Sequence, residues 1–334
     1  MSRTTQRNAT GNDRLSVQHG PGEHGEKADS PQEIPAKGWL EVSKRAWKEA
    51  SDDQVPLLAA GVAFKAFLAI FPAVTAAFLL WSLIGDTQQI VNQVNSITAI
   101  PDAARNLIVE QVRHVNQNQA SAGWSAALAI VLALWSASSG VQNLMAATNL
   151  AYDEDEDRGF VKRKGIALLL TLGAIVFMLL AIGFIAVAPV LVNALGASGV
   201  VNVVVSVLRW VLLLGLVLVA LAVVYRLAPD RDSPRMKWTS VGAAVATALW
   251  LIVSIGFSLY ITVAGGSSYV KNYGALAGVV ILLMWLWLTS YAILLGAEIN
   301  AESERQTDHD TTVGDPQPMG QRDAVAADRK PEDR

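Results

Sequence analysis

Six stretches of this 334-residue chain stay apolar for longer than the roughly 20 residues a helix needs to cross a hydrocarbon core. They cover about 56–84, 123–150, 165–195, 202–228, 239–264 and 275–299. Leu, Val and Ala persist through each run instead of alternating with polar residues, which excludes the strands of a transmembrane β-barrel. The pattern predicts an all-α polytopic membrane protein, a six-transmembrane-helix bundle within a membrane domain over 37–301. Residues 1–36 and 302–334 read differently. They lack apolar periodicity and are rich in Pro, Gly and charge, so both are predicted to be disordered tails.

Two further elements are predicted outside the spans. Over 37–50, Trp39, Leu40, Val42, Ala46 and Trp47 recur at helical spacing among Lys44, Arg45 and Lys48. This is an interfacial helix, with its tryptophans at headgroup level and its cations near anionic lipid. A plain juxtamembrane anchor would carry the same pattern. The connection 87–119 repeats the helical spacing at Ile90, Val94 and Ile97, and again at Leu107, Ile108, Val112 and Val115, with Pro101 between. It predicts an extracytoplasmic helical hairpin that either caps a cavity or packs on the bundle.

Composition supports the membrane reading. Hydrophobic residues make up 52% and charged residues 16%, where a soluble chain carries about 25% charged. The net charge of −3 belongs to the ends: 1–36 carries −1 and 301–334 carries −4, leaving +2 between them. Basic residues near the spans set the orientation. Twelve lie on one side (Lys37, Lys44, Arg45, Lys48, Arg158, Lys162, Arg163, Lys164, Arg226, Arg231, Arg235, Lys237) and three on the other (Arg105, Arg113, Lys271). Both termini are expected in the cytoplasm of a bacterial cell, with the chain multi-pass in the inner membrane. No apolar segment precedes the first span, so that span itself is expected to direct insertion.

The chemistry available is narrow. The chain has no Cys, which removes disulfides, thiolate metal sites and a Cys nucleophile. Its four His are scattered. Five consecutive acids, Asp153–Asp157, do not match the ligand spacing of a calcium loop and read as a solvated turn beside Arg158 and Lys162–Lys164. No phosphate loop, nucleophile elbow or zinc-protease motif occurs. Neither a metal nor another cofactor is expected, and no catalytic residue is assigned.

Several short motifs occur in register along about 40–300. Leu58-Ala59-Ala60-Gly61-Val62-Ala63-Phe64 is followed by Phe71-Pro72, then Trp135-Ser136-Ala137, Asn149-x-x-Tyr152, Arg158 and Arg163. Later come Tyr225-Arg226-x-x-Pro229, Gly242-Ala243, Tyr260, Tyr273-Gly274, Trp285 and Gly296-Ala297-Glu298-x-Asn300. Together they resemble the YihY/virulence factor BrkB family. One departure is Lys65, where such sequences usually place an aromatic residue. The resemblance implies a six-helix bacterial inner-membrane protein with both termini inside. It implies little about activity: members carry labels of serum resistance and virulence and an older label, ribonuclease BN. It also implies a lead toward export of lipid or lipid-A-like precursors.

Charges inside the spans are the functional candidates, because an ionisable group in hydrocarbon is costly. Lys65 lies deep in the first helix, either snorkelling or facing a polar cavity. Ser139, Gln142 and Asn143 share part of a face of the second helix, and Asn149 ends it. They are interhelical glue or substrate-cavity lining. Arg158, Arg226 and Glu298 sit at the cytoplasmic ends, either as a Glu298–Arg226 or Glu298–Arg158 ion pair that locks the bundle or with Glu298 as a proton-coupling or gating carboxylate. Pro72 and Pro189 either kink or break their helices.

Three functions are weighed. A transporter or lipid-handling protein would place Lys65 and the Asn143 face on a cavity open to one leaflet, and a surface-facing Lys65 would count against that. A non-transporting membrane scaffold or envelope-integrity factor would use the tails for docking. A ribonuclease is rejected, since the short polar loops offer no basic groove. Membrane lipid is the expected partner, with an anionic lipid or small-molecule substrate beyond it and no nucleic acid. Nothing in the sequence fixes homo-oligomerisation.

Overall fold

The computed structural model describes residues 22–82, 91, 109–110, 124–194, 199–265 and 271–331. An amphipathic helix, α1 (Ala36–Asp52), precedes six long helices: α2 (Val55–Ser82), α3 (Trp124–Ala151), α4 (Phe160–Ala194), α5 (Gly199–Leu227), α6 (Met236–Tyr260) and α7 (Ala277–Arg305). A π-helical turn, Ile261–Gly265, continues α6, and a four-residue helix, α8 (Val325–Asp328), lies near the C-terminus. All six long helices are apolar enough to cross a membrane, and the protein is an all-α polytopic membrane protein. The expected hairpin at 87–119 lies almost wholly outside the described residues.

Each long helix packs on its neighbour in sequence, and α7 returns to α2. The six therefore form a closed ring in chain order. Helix association without water rests on close backbone approach, which small residues permit. The α6–α7 seam shows it. A Cβ built at Gly242 would sit 2.1 Å from the Gly296 carbonyl oxygen, and one at Gly296 would sit 2.7 Å from the Gly242 oxygen. Asn300 locks this seam, accepting the Gly242 N–H at 2.6 Å.

Helix α1 buries Gly38, Val42, Ala46 and Ala50, one residue per turn, and leaves Leu40 and Trp47 exposed. It packs on α7 and turns into α2 through Gln54, whose φ of 53° is left-handed. Both α2 and α4 stay helical through Pro72 and Pro189, so neither proline breaks its helix.

The helix limits match the apolar runs closely, but the tails do not match expectation. Residues 22–36 and 302–331 are ordered against the bundle rather than disordered. The reason is pairing. Hydropathy registers 302–331 as polar, yet its polar groups meet equally polar groups on the interhelical loops. Arg235 N–H donates to Thr311 O at 2.8 Å, Val313 N–H to Ser233 O at 3.0 Å, and Asp232 N–H to Asp323 O at 2.9 Å. The N-terminal segment joins them, with Asp308 N–H donating to Glu26 O at 2.7 Å. The described terminal segments, 22–36 and 302–331, therefore lie at one end of the ring, the tail end. For the same reason α7 runs past 299 to Arg305: its last turn is buried in this junction.

Candidate functional site

Two regions concentrate polar groups. The first is the tail end. Asn149, at the foot of α3, donates to Glu156 at 3.1 Å and accepts the Asp230 N–H at 2.8 Å, tying the α3–α4 and α5–α6 loops together. Arg158 is buried between those loops. It pairs with Glu156 at 2.6 Å and Asp230 at 3.4 Å, and donates to the carbonyls of Leu227, Ala228 and Pro229. These include free carbonyls at the C-terminus of α5, where the helix dipole also favours a cation. Arg158 is thus a helix cap. Neither expected ion pair forms: Arg158 is committed to Glu156 and Asp230, and Arg226 is half-buried with no acid on it among the described residues.

Glu298 is instead a buried carboxylate, 1% exposed, whose Oε1 finds no hydrogen-bond partner among the described residues. Around it runs an ionic lattice absent from the sequence expectation. Arg45 of α1 donates to Glu302 at 2.6 Å and to Gln306 at 2.5 Å. Arg305 bonds both Glu302 and Asp153. Arg231 and Glu304 pair at 2.7 Å with neither exposed, and Tyr152 lies beneath the guanidinium.

The acidic run is correspondingly not a solvated turn. Asp153, Glu154 and Glu156 face the protein, and Asp155 and Asp157 face out. Burial raises the Glu154 carboxyl to about 7 against the pull of Arg231 and of the Val325 N–H, which it accepts at 2.7 Å. Burial also acts on Glu156, but the Arg158 hydrogen bond and charge outweigh it and hold that carboxyl below its ordinary value. Among the described residues, no group of three His, Cys, Asp or Glu is placed to hold a metal.

The second region lies at mid-helix on α3. Ser139 is exposed with Trp135 and Ser136, and Gln142 and Asn143 are half-buried beside them. Lys65 is exposed on α2, and its backbone carbonyl would lie 3.3 Å from a Cβ at Gly140 of α3. The surface-facing position is the outcome expected to count against a transporter or lipid-handling protein with Lys65 on a cavity open to one leaflet. On the other flank of α3, Lys164 is buried. Its Nζ donates to Ser138 Oγ at 2.6 Å, to the Trp135 carbonyl at 3.0 Å and toward Gln142 Oε1 at 3.5 Å. It also sits 4.2 Å from the Trp135 ring centroid. From the sequence, Lys164 reads as one of the basic residues that set the orientation and flank the acidic run. Its place one turn into α4, rather than in the loop, was the missed signal.

The profile of the virulence factor BrkB family matches residues 46–320, most of the chain. The chain belongs to that family. The family match thus includes the lattice apart from Arg45, the α3 face and most of the docked C-terminal segment. Among relatives, the ribonuclease-like protein YfkH of Bacillus subtilis (strain 168) is 31% identical over 60% of this chain and 73% of its own length. A UPF0761 membrane protein of Vibrio campbellii (strain ATCC BAA-1116) is 30% identical over 76% of this chain and 79% of its own length. Another, from Vibrio parahaemolyticus serotype O3:K6 (strain RIMD 2210633), is 28% identical over 76% and 79%. No solved structure matches. The expected family resemblance is confirmed, and the family is named for membrane proteins rather than for an enzyme.

Proposed function

We propose that this protein handles an anionic amphiphile in the bacterial cell membrane, as a transporter or lipid-handling protein, with its tail end in the cytoplasm. The observation that carries the reading is a pair of lysines flanking one polar turn of α3 at mid-span. Lys65 falls midway along the span Val55–Ala77, about 15 Å from its start at 1.5 Å per residue. A four-carbon stem does not cover that distance to the headgroups. Lys164 turns away from the tail end and toward the α3 interior. No acid pairs with either lysine among the described residues. A cation at this depth needs a counter-charge, and a phosphate- or carboxylate-bearing lipid supplies one. Exposed Lys65 makes the site lateral, open to lipid along the α2–α3 surface. The orientation rests on the basic-residue asymmetry, twelve against three.

The scaffold alternative relied on free tails. Residues 302–331 are bonded to their own bundle, so nothing favours it over lipid handling. The test is reorientation of fluorescent anionic and zwitterionic lipids in proteoliposomes. Wild type should accelerate the anionic probe, and Lys65→Gln and Lys164→Gln should each slow it at least tenfold at equal reconstitution. Equal rates for wild type and empty liposomes, or variants as fast as wild type, would sink the proposal.

A further inference from the structure

The lattice at the tail end contains a group that hydrogen bonding and ion pairing leave unexplained. Glu298 lies on α7, 1% exposed, and among the described residues its Oε1 has no hydrogen-bond partner. A buried ionised carboxylate persists only with a paired cation and satisfied oxygens. Among the described residues, the ionisable groups near Glu298 include Asp53 from the α1–α2 corner, Asp153 from the α3–α4 corner, Tyr152 at the foot of α3, and Glu302 and Arg305 from its own helix. Three of these are carboxylates and one is a cation. That cation, Arg305, already donates to Glu302 and Asp153. Arg45 is likewise committed to Glu302 and Gln306, and Arg231 to Glu304. Among the described residues, five carboxyls (Asp53, Asp153, Glu298, Glu302 and Glu304) stand beside three guanidiniums (Arg45, Arg231 and Arg305).

We infer that Glu298 is a proton-binding site, occupied in this closed arrangement, whose deprotonation loosens the junction at the tail end. The geometry gives the proton its consequence. Glu298, Glu302 and Arg305 recur at i, i+4 and i+7 on one face of α7. Asp53 and Asp153 bring the two corners against that face. Asp153 holds a left-handed φ of 56°, and Gln54 beside Asp53 holds 53°. Arg305 holds the Asp153 corner against α7, and Arg45 ties α1, which ends at the Asp53 corner, to Glu302 and Gln306. When the Glu298 O–H bond breaks, its electron pair stays on the carboxylate and the proton passes to entering water. The new charge then faces Asp53, Asp153 and Glu302, while Arg45, Arg231 and Arg305 are already committed to other acids. Repulsion drives the corners away from α7 and opens the lattice. This inference is separate from lipid handling, and its test reads the proton directly rather than transport.

The test is infrared spectroscopy of the full-length protein in liposomes, following the carbonyl band of protonated carboxyl groups in H2O and D2O across pH. Wild type at neutral pH should show such a band. Glu298→Gln should lose it, Glu298→Asp should retain one, and Glu154→Gln should leave the Glu298 component in place. Thermal unfolding provides the second arm. Glu298→Gln mimics the protonated acid, so it should melt within a few degrees of wild type at neutral pH and lose less stability than wild type in alkali. A band unchanged in Glu298→Gln would overturn the proposal. So would a large destabilisation of that variant at neutral pH, which would mean that the native species is the carboxylate. A stabilisation of wild type by sodium or potassium ions that Glu298→Gln abolishes would assign the site to a metal cation instead.

Discussion

Arg231, on the α5–α6 loop, and Glu304, in the last turn of α7, form a bidentate ion pair with neither side chain exposed. Nη2 lies 2.7 Å from Oε2 and Nη1 lies 3.2 Å from Oε1. Thr311 donates to the same Oε2 at 2.6 Å, and the Tyr152 ring lies 5.1 Å beneath the guanidinium. Three segments distant in sequence therefore share one charge pair: the α3 foot, the α5–α6 loop and the C-terminal segment. Glu304→Leu leaves a buried guanidinium without its counter-ion and should cost about 3–5 kcal/mol. Replacing both partners, Arg231→Met with Glu304→Leu, removes the charge mismatch and should recover most of that loss. Thermal unfolding in nanodiscs checks it. A double variant no better than Glu304→Leu would show that the pair matters through shape rather than charge.

The α6–α7 seam makes a steric prediction with an internal control. At Gly242 a methyl group would meet a backbone carbonyl 2.1 Å away and the Asn300 side chain at 2.5 Å. Backbone cannot step aside as a flexible side chain can, so the helices must part. Gly242→Ala should destabilise by about 1–3 kcal/mol, as overpacking does. Gly256, in the same helix, has nothing within 4 Å of an added methyl. Gly256→Ala should be neutral or gain up to about 1 kcal/mol of helix propensity. Equal melting temperatures for the two variants would contradict the close approach.

How much of this was legible in the sequence depends on which force places each residue. Burial in lipid leaves long apolar runs, so all six helices and α1 could be read to within a few residues. The short polar motifs gave the family. Pairing leaves no such local trace. Glu302, Glu304 and Arg305 look like the start of a solvated tail until Arg45, Arg231 and Asp153 are seen around them, and those partners lie 152 or more residues away for Asp153 and Arg45. Glu298 was legible as a candidate because it interrupts an apolar run, but its lack of a partner was not. Lys164 was hidden by its neighbours Lys162 and Arg163, which made it look like part of a loop.

Glu154 gives the docked C-terminal segment a pH dependence. Its carboxyl has an ordinary value of 4.5, raised by burial to about 7 in the folded protein. Between those values the folded state holds the proton more often than the unfolded state. The stabilisation is therefore full below about 4.5, declines as pH rises to about 7, and is flat above. Glu26, Glu156 and Asp310 are lowered instead, so their contributions are lost toward acid, below the window of interest. Hydrogen exchange of residues 320–331, which include the Val325 amide bonded to Glu154, should quicken from pH 5.5 to 8 by more than intrinsic chemistry explains. In Glu154→Gln the excess should vanish. A wild-type profile that follows intrinsic exchange alone would refute it.

Arg322 organises the same segment from within. It is buried, and its guanidinium donates to four backbone carbonyls: Asp308 at 2.9 Å, His309 at 3.3 Å, Gln317 at 3.1 Å and Ala327 at 2.7 Å. Its own N–H donates to Asp328 at 3.0 Å. One side chain thus closes a loop of about twenty residues whose apolar content is too low to fold by burial. Lys is no substitute, because an ammonium cannot present donors in the guanidinium's planar fork. Arg322→Lys and Arg322→Ala should both free 306–331, with limited proteolysis there at least tenfold faster than in wild type. The six-helix bundle should remain folded by circular dichroism, since among the described residues the hydrogen bonds of Arg322 all run to 308–328. Protection of the segment in Arg322→Ala would show instead that the Arg231–Glu304 pair and the loop hydrogen bonds hold it without Arg322.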